Sequence, residues 1–162
     1  MRFSPRRLFV LAILGVSCGC VSTSTPPPPE PKPIELRVVH DDGSVTLNSP
    51  LPVHLLTHIR ATLIDADYDL LYEQLISDYT KRVYHQRDRD PREVMTWFTD
   101  NQRDVLILLS RMGQGVNSPD VYWEMRGPIT RLQLYGEAKR SSRLTTVDVI
   151  RENGQFKLVM IQ

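Results

Sequence analysis

Three side chains late in the chain, Tyr135, Glu137 and Asp148, are of the types that move protons, and their spacing sets up a candidate proton-transfer site. On a strand beginning at Ile129, Leu132 and Leu134 share one face, while Arg131, Gln133, Tyr135 and Glu137 fall on the other. Asp148 sits between Val147 and Val149 on a neighbouring strand. If the polar face is concave, Tyr135, Glu137 and Asp148 point into a pocket; if it is convex, they are a solvated surface or a dimer face. The absence of histidine after His85 removes the commonest general base from this region.

Other clusters are better explained by structure than by chemistry. His54 and His58 are four apart on a predicted helix, yet zinc needs a third ligand, and Leu55 stands where the glutamate of a HExxH motif would be. Partly exposed helix histidines are the better reading. Asp65, Asp67 and Asp69, with Asp78 beyond, lack the glycine and closing glutamate of a calcium loop, so capping and solvation account for them. Gly113 to Asn117 follows a helix rather than opening one and has no lysine, which excludes a phosphate loop. Trp97 with Phe98, and Trp123 with Tyr122, could line a cavity, but their spacing fits core better. No metal or other cofactor is expected.

Both cysteines, Cys18 and Cys20, lie in the first twenty residues, so the body of the chain has neither a disulfide nor a catalytic thiol. Met1 to Arg7 is basic, and Leu8 to Val16 is an uncharged apolar run far shorter than the roughly 20 residues of a membrane span. It fits the hydrophobic region of a signal peptide. The ending Ser17-Cys18-Gly19-Cys20 resembles the bacterial lipobox, in which a small residue precedes the cysteine that receives diacylglycerol. Cys20, after glycine, is the favoured lipidation site, with Cys18 as the alternative. Neither has a large aliphatic residue three positions upstream. Residues 1–19 are thus expected to be a lipoprotein signal peptide. Residues 20–33 would be the lipidated cysteine and a tether of Ser, Thr and Pro, extended at about 3.1 Å per residue. Val21 is not aspartate, and by resemblance to lipoprotein sorting rules this points to the outer membrane, facing the periplasm, if the host has one.

The remainder, 34–162, has room for one domain. The net charge of the chain is +1, and Arg2, Arg6 and Arg7 contribute to it at the extreme N-terminus. The mature part is therefore slightly acidic, which argues against a nucleic-acid partner.

The elements that must position the candidates are legible in order. Ile34 to His40 and Ser44 to Asn48 flank Asp41-Asp42-Gly43, which predicts a hairpin over 34–48. Leu55, Leu56, Ile59 and Leu63 mark a helix from Val53 to about Ile64. Asp67 caps a second helix, with Tyr68, Leu71, Tyr72, Leu75 and Tyr79 in one stripe. His85 to Asp90 reads as a loop. Asp90-Pro91-Arg92-Glu93 then opens a third helix carrying Val94, Trp97, Phe98, Val105, Leu108, Leu109 and Met112, ended by Gly113. Four strands follow, over 121–125, 129–135, 143–150 and 155–161, with Asn153-Gly154 as a tight turn. Helices followed by an antiparallel meander make an α+β domain.

The pattern ATLIDADYDLLYEQLIS and the ending DVIRENGQFKLVMIQ resemble the nuclear transport factor 2-like (SnoaL-like) superfamily, with Asp67-Tyr68 and Asn153-Gly154-Gln155-Phe156 in the family's places. The resemblance covers roughly 53–162. It implies three helices packed on a curved antiparallel sheet, a cone with a small-molecule pocket. Since that fold hosts many activities, the expected function is a membrane-anchored, non-catalytic module of the cell envelope. Its partners would be the membrane, through the N-terminal lipid, and a small apolar ligand or an envelope protein. A small enzyme of the isomerase or dehydratase type, using Tyr135, Glu137 and Asp148, is the alternative. A structural subunit that forms a homodimer through an open sheet face is a third reading.

Overall fold

The computed structural model describes residues 34–113 and 118–162. The expected signal segment, both candidate lipidation cysteines, the tether and most of the Gly113–Asn117 segment lie outside the described residues. No helix among the described residues is long and apolar enough to cross a membrane.

Two short strands, β1 (Arg37–Val39) and β2 (Val45–Leu47), form the expected hairpin. Its turn is fixed by Asp42, whose Oδ1 accepts from the Ser44 amide at 2.9 Å and from the Ser44 hydroxyl at 2.6 Å. Helix α1 (Pro52–Ile64) starts on proline, whose missing N–H is no loss at a helix start, and buries Leu55, Leu56, Ile59 and Leu63. The Gln74 side chain ties the hairpin down, accepting from the Leu47 amide at 2.8 Å and donating to the Val45 carbonyl.

The second helix differs from its sequence pattern. Asp67 caps it as expected, accepting from the Leu70 amide at 3.1 Å. A single turn, α2 (Tyr68–Leu70), then passes into a π-turn over Leu71–Leu75, and the helix stops. Ile76 is extended and pairs in parallel with Leu158. Ser77 donates its amide to the Leu158 carbonyl at 2.9 Å and then caps a new helix, α3 (Asp78–His85), accepting from the Thr80 amide at 3.0 Å. Tyr79 therefore leaves the Leu71–Leu75 stripe and is exposed. The break has two causes, a competing cap at Ser77 and a strand edge that needs a hydrogen-bond partner.

Helix α4 (Glu93–Arg111) begins three residues beyond the expected capping Asp90, whose Oδ1 instead holds the Arg92 amide in an entry turn at 2.9 Å. Glu93 does not close a capping box; its carboxylate pairs with Arg89. The buried face of α4 is the expected one, with Phe98, Val105, Leu108 and Leu109, and Met112 is buried just beyond its end.

The four-stranded sheet is an antiparallel meander in the order β3-β4-β5-β6 (Val121–Arg126, Ile129–Leu134, Thr146–Glu152, Gln155–Ile161). Asn153 and Gly154 both have positive φ, 51° and 80°, the two-residue hairpin geometry that Asn-Gly favours. Between β4 and β5, where the sequence reads as a loop, a short helix α5 (Gly136–Arg140) forms. The fold is thus α+β, with five helices among the described residues, a four-stranded antiparallel sheet and the separate hairpin. The core joins α1, the π-turn and α4 to Leu132, Leu134, Val147, Val149, Leu158 and Ile161 of the sheet. Its members all lie between Leu47 and Ile161, so the domain holds its own hydrophobic core, as an independently folding unit must.

Candidate functional site

Alternation along β4 and β5 sends Leu132, Leu134, Val147 and Val149 toward the helices, where all four are fully buried. Arg131 and Asp148, which are cross-strand partners, therefore share the opposite face. There they form a two-pronged ion pair, Arg131 Nε to Asp148 Oδ1 and Nη2 to Oδ2, both at 2.7 Å. The hydrogen bonds to Asp148 hold the Arg131 guanidinium above its ordinary pKa. A carboxylate held on both oxygens by a guanidinium is a structural anion, poorly placed to take a proton from a substrate.

The other two proton-transfer candidates lie elsewhere. Tyr135 is exposed just past the end of β4, and Glu137 is exposed on α5, 3.5 Å from Arg140. The structure does not bring Tyr135, Glu137 and Asp148 together in one pocket. Tyr135 instead borders a shallow hollow with Tyr122, Gln133 and Lys139.

His58 is buried, and its Nε2 lies 3.1 Å from the Asn48 carbonyl, pinning the end of the hairpin to α1. Burial pushes the pKa of His58 down, against the opposing pull of that carbonyl. Asp67 caps α2, and Asp69 pairs with Arg92 at 2.8 Å. Among the described residues no group of three or more His, Cys, Asp or Glu side chains is placed to hold a metal ion.

The cavity with a defined chemical character lies at the outer edge of β6. Its volume is about 290 Å³, close to the smallest small-molecule sites, which start at roughly 300 Å³. Three elements build it. Helix α3 contributes Tyr79, Thr80, Val83 and Tyr84, the start of α4 contributes Val94, Trp97 and Phe98, and β6 contributes Leu158 to Ile161. The wall is mostly apolar, and its titratable members are Tyr79, Tyr84, Arg87 and Arg89. No carboxylate or imidazole lines it.

Local chemistry explains why these elements converge. Thr80, buried, donates from Oγ1 to the Val159 carbonyl at 2.8 Å, which fastens α3 to β6. The register of β5 against β6 slips at Asp148/Val149, leaving Val159 as the extra residue of a bulge. Such a bulge bends the strand and re-aims its side chains. Glu152, the last residue of β5, accepts from the amides of Asp78 at 2.9 Å and Tyr79 at 3.1 Å, so a carboxylate stabilises the first turn of α3. Trp97 and Phe98 meet edge to face, 5.2 Å between centroids, with Phe98 buried and Trp97 half-buried.

Of the aromatic pairs singled out in the sequence, Trp97 and Phe98 thus line the cavity, and Phe98 is also core. Tyr122 and Trp123 are not core: they are 55% and 49% exposed on β3, Tyr122 because it faces away from the helices and Trp123 because the helical layer covers only the Val121 end of that strand. Sequence reasoning missed Tyr79, Tyr84, Arg87 and Arg89 as site residues, since it ran α3 into α2 and read the following stretch as a loop. The signal was available in Ser77 as a cap, after which Thr80, Val83 and Tyr84 recur at helical spacing.

No family model matches the chain, and no curated protein or solved structure matches it significantly.

Proposed function

We propose that the chain is a lipoprotein of the cell envelope whose domain is a non-catalytic binding module for a small, largely apolar ligand. The observation that carries the ligand-binding part is the cavity between α3, α4 and β6, which has aromatic and aliphatic walls and no carboxylate or imidazole among its lining residues. Proton transfer needs a positioned acid or base within reach of the substrate. The residues first considered for that task are dispersed, and Asp148 is engaged with Arg131. The helices on an antiparallel meander also favour reading the domain as a nuclear transport factor 2-like cone.

The anchor rests on the sequence: basic start, short apolar run, and Cys20 (alternatively Cys18) at its end, followed by the proline-rich tether. Two or three acyl chains, at about 0.8 kcal/mol per buried methylene, hold a protein on a membrane where one chain does not. The module would then sit on the outer membrane, facing the periplasm, in a host that has one. The mass of the mature N-terminus tests this. A diacylated Cys20 or Cys18 is expected, and a retained Met1 overturns it.

The binding reading is tested by native mass spectrometry of residues 34–162 purified gently from the host. An added small mass on the domain is the expected outcome. A clean apo mass on a stable oligomer would overturn it in favour of a structural subunit.

A further inference from the structure

Among the described residues, the cavity at the β6 edge brings a largely apolar lining together with a guanidinium that has no ion-pair partner. Its lining is largely apolar and includes Val83, Val94, Trp97, Phe98, Leu158 and Ile161. Its titratable lining groups are two guanidiniums and two phenols, and the Thr80 hydroxyl is engaged with the Val159 carbonyl. Arg89 is shared: its Nε lies 2.8 Å from Glu93, and its guanidinium rests on the Tyr84 ring, 5.2 Å from the centroid. Arg87 has no carboxylate partner among the described residues, although it lines the same cavity. Asp88 and Asp90 flank these arginines in sequence but do not line the cavity, and Asp90 is occupied with the Arg92 amide.

We infer that the ligand of this cavity is an anionic amphiphile, with its acidic head on Arg87 and Arg89 and its apolar body along Trp97, Phe98 and β6. The inference rests on reading the cavity as a ligand site and adds the ligand's chemistry. A neutral apolar molecule would match the apolar lining but leave the guanidiniums in water. A cationic one would meet the unpaired charge of Arg87, since Arg89 is already engaged by Glu93. A carboxylate or phosphate can accept from the planar fork of Arg87. Both arginines are exposed, so such a contact is charge-assisted but open to screening by salt. Tyr79 and Tyr84, which also line the cavity, carry hydroxyls able to donate to such a head.

The test compares octanoate, 1-octanol and octylammonium, which share a chain and differ in head charge, by calorimetric titration of residues 34–162. Octanoate is expected to bind about tenfold more tightly than octanol at low salt, the scale of one charge-assisted hydrogen bond. The gap should narrow at high salt, and octylammonium should bind most weakly. Arg87→Ala should bring octanoate down to the affinity of octanol while leaving octanol unchanged, and Arg87→Lys should keep most of the preference. Unchanged thermal melting of Arg87→Ala verifies that the variant is folded.

If octanol and octanoate bind alike, the anionic-head inference is overturned and the binding-module reading stands. If neither binds, that reading falls with it. Flotation with phosphatidylglycerol vesicles separates two sources of the same chemistry. Capture that octanoate displaces identifies a bilayer lipid as the source, and octanoate binding without capture identifies a free acid. Either result upholds the inference.

Discussion

The two edges of the four-stranded sheet are treated in opposite ways. At β6 the chain closes its own edge. Ile76 adds a one-residue parallel bridge, Ser77 and Thr80 donate to the Leu158 and Val159 carbonyls, and Lys157 donates to the Gln74 carbonyl. At β3, among the described residues, no strand pairs outward, and Tyr122, Trp123 and Met125 are exposed at 55%, 49% and 73%. Open edges invite pairing with other chains unless they are covered or twisted away. The covered edge is also where the cavity forms, bordered by α3, the start of α4 and β6.

The comparison predicts unequal costs for aromatic truncation. Phe98→Ala, on the covered side, should destabilise the domain by about 3–5 kcal/mol in urea unfolding, through lost burial and the hole left behind. Trp123→Ala, on the open side, should lose about 1 kcal/mol or less. Equal losses would mean that β3 is covered in solution.

The seal itself should respond next. Ser77→Ala removes the cap of α3 and should lower stability by about 1–2 kcal/mol. Amide exchange should quicken through α3 while β5 stays protected. Unaltered exchange in α3 would show that the seal does not depend on Ser77.

The smallest effect is a pH response away from both edges. His58 is held below its ordinary value by burial, so the unfolded chain binds its proton first. Stability contributed by the neutral imidazole is present above the unfolded value of about 6.5. It is lost as pH falls through that value toward the lower folded one. The melting temperature should therefore drop as pH falls from 7.5 through 6, with a shallower slope in His58→Asn. Identical slopes would remove His58 as the cause.

Much of this architecture can be read from short-range signals. Asn153-Gly154 specifies its turn by itself, and the four strands and the α4 face follow from alternation and helical period. The break at Ile76 cannot be read that way. Tyr68, Leu71, Tyr72, Leu75 and Tyr79 keep helical spacing across it, and the partner that stops the helix, Leu158, is distant in sequence. Trp123 shows a different limit. Alternation places it on the same face as Leu132 and Val147, its neighbours in register. What it does not encode is where the helical layer ends. The cavity is less legible still, since α3, α4 and β6 each contribute part of the wall and none contains the site alone.

The long reach of the β6 seal also bears on the order of folding. Thr80 and Val159, which it joins, are 79 residues apart in sequence, whereas the β5–β6 hairpin closes over a two-residue turn. Hairpins of that kind form within about 1–10 μs. Contacts across long loops are slower, because closure entropy must be met before they form. The meander should therefore exist for a time with both edges bare, and pulse-labelled exchange should protect β5 before the Ser77 amide. Until α3 arrives, a chain of this design is most exposed to pairing with its neighbours at the edge that the finished protein protects best.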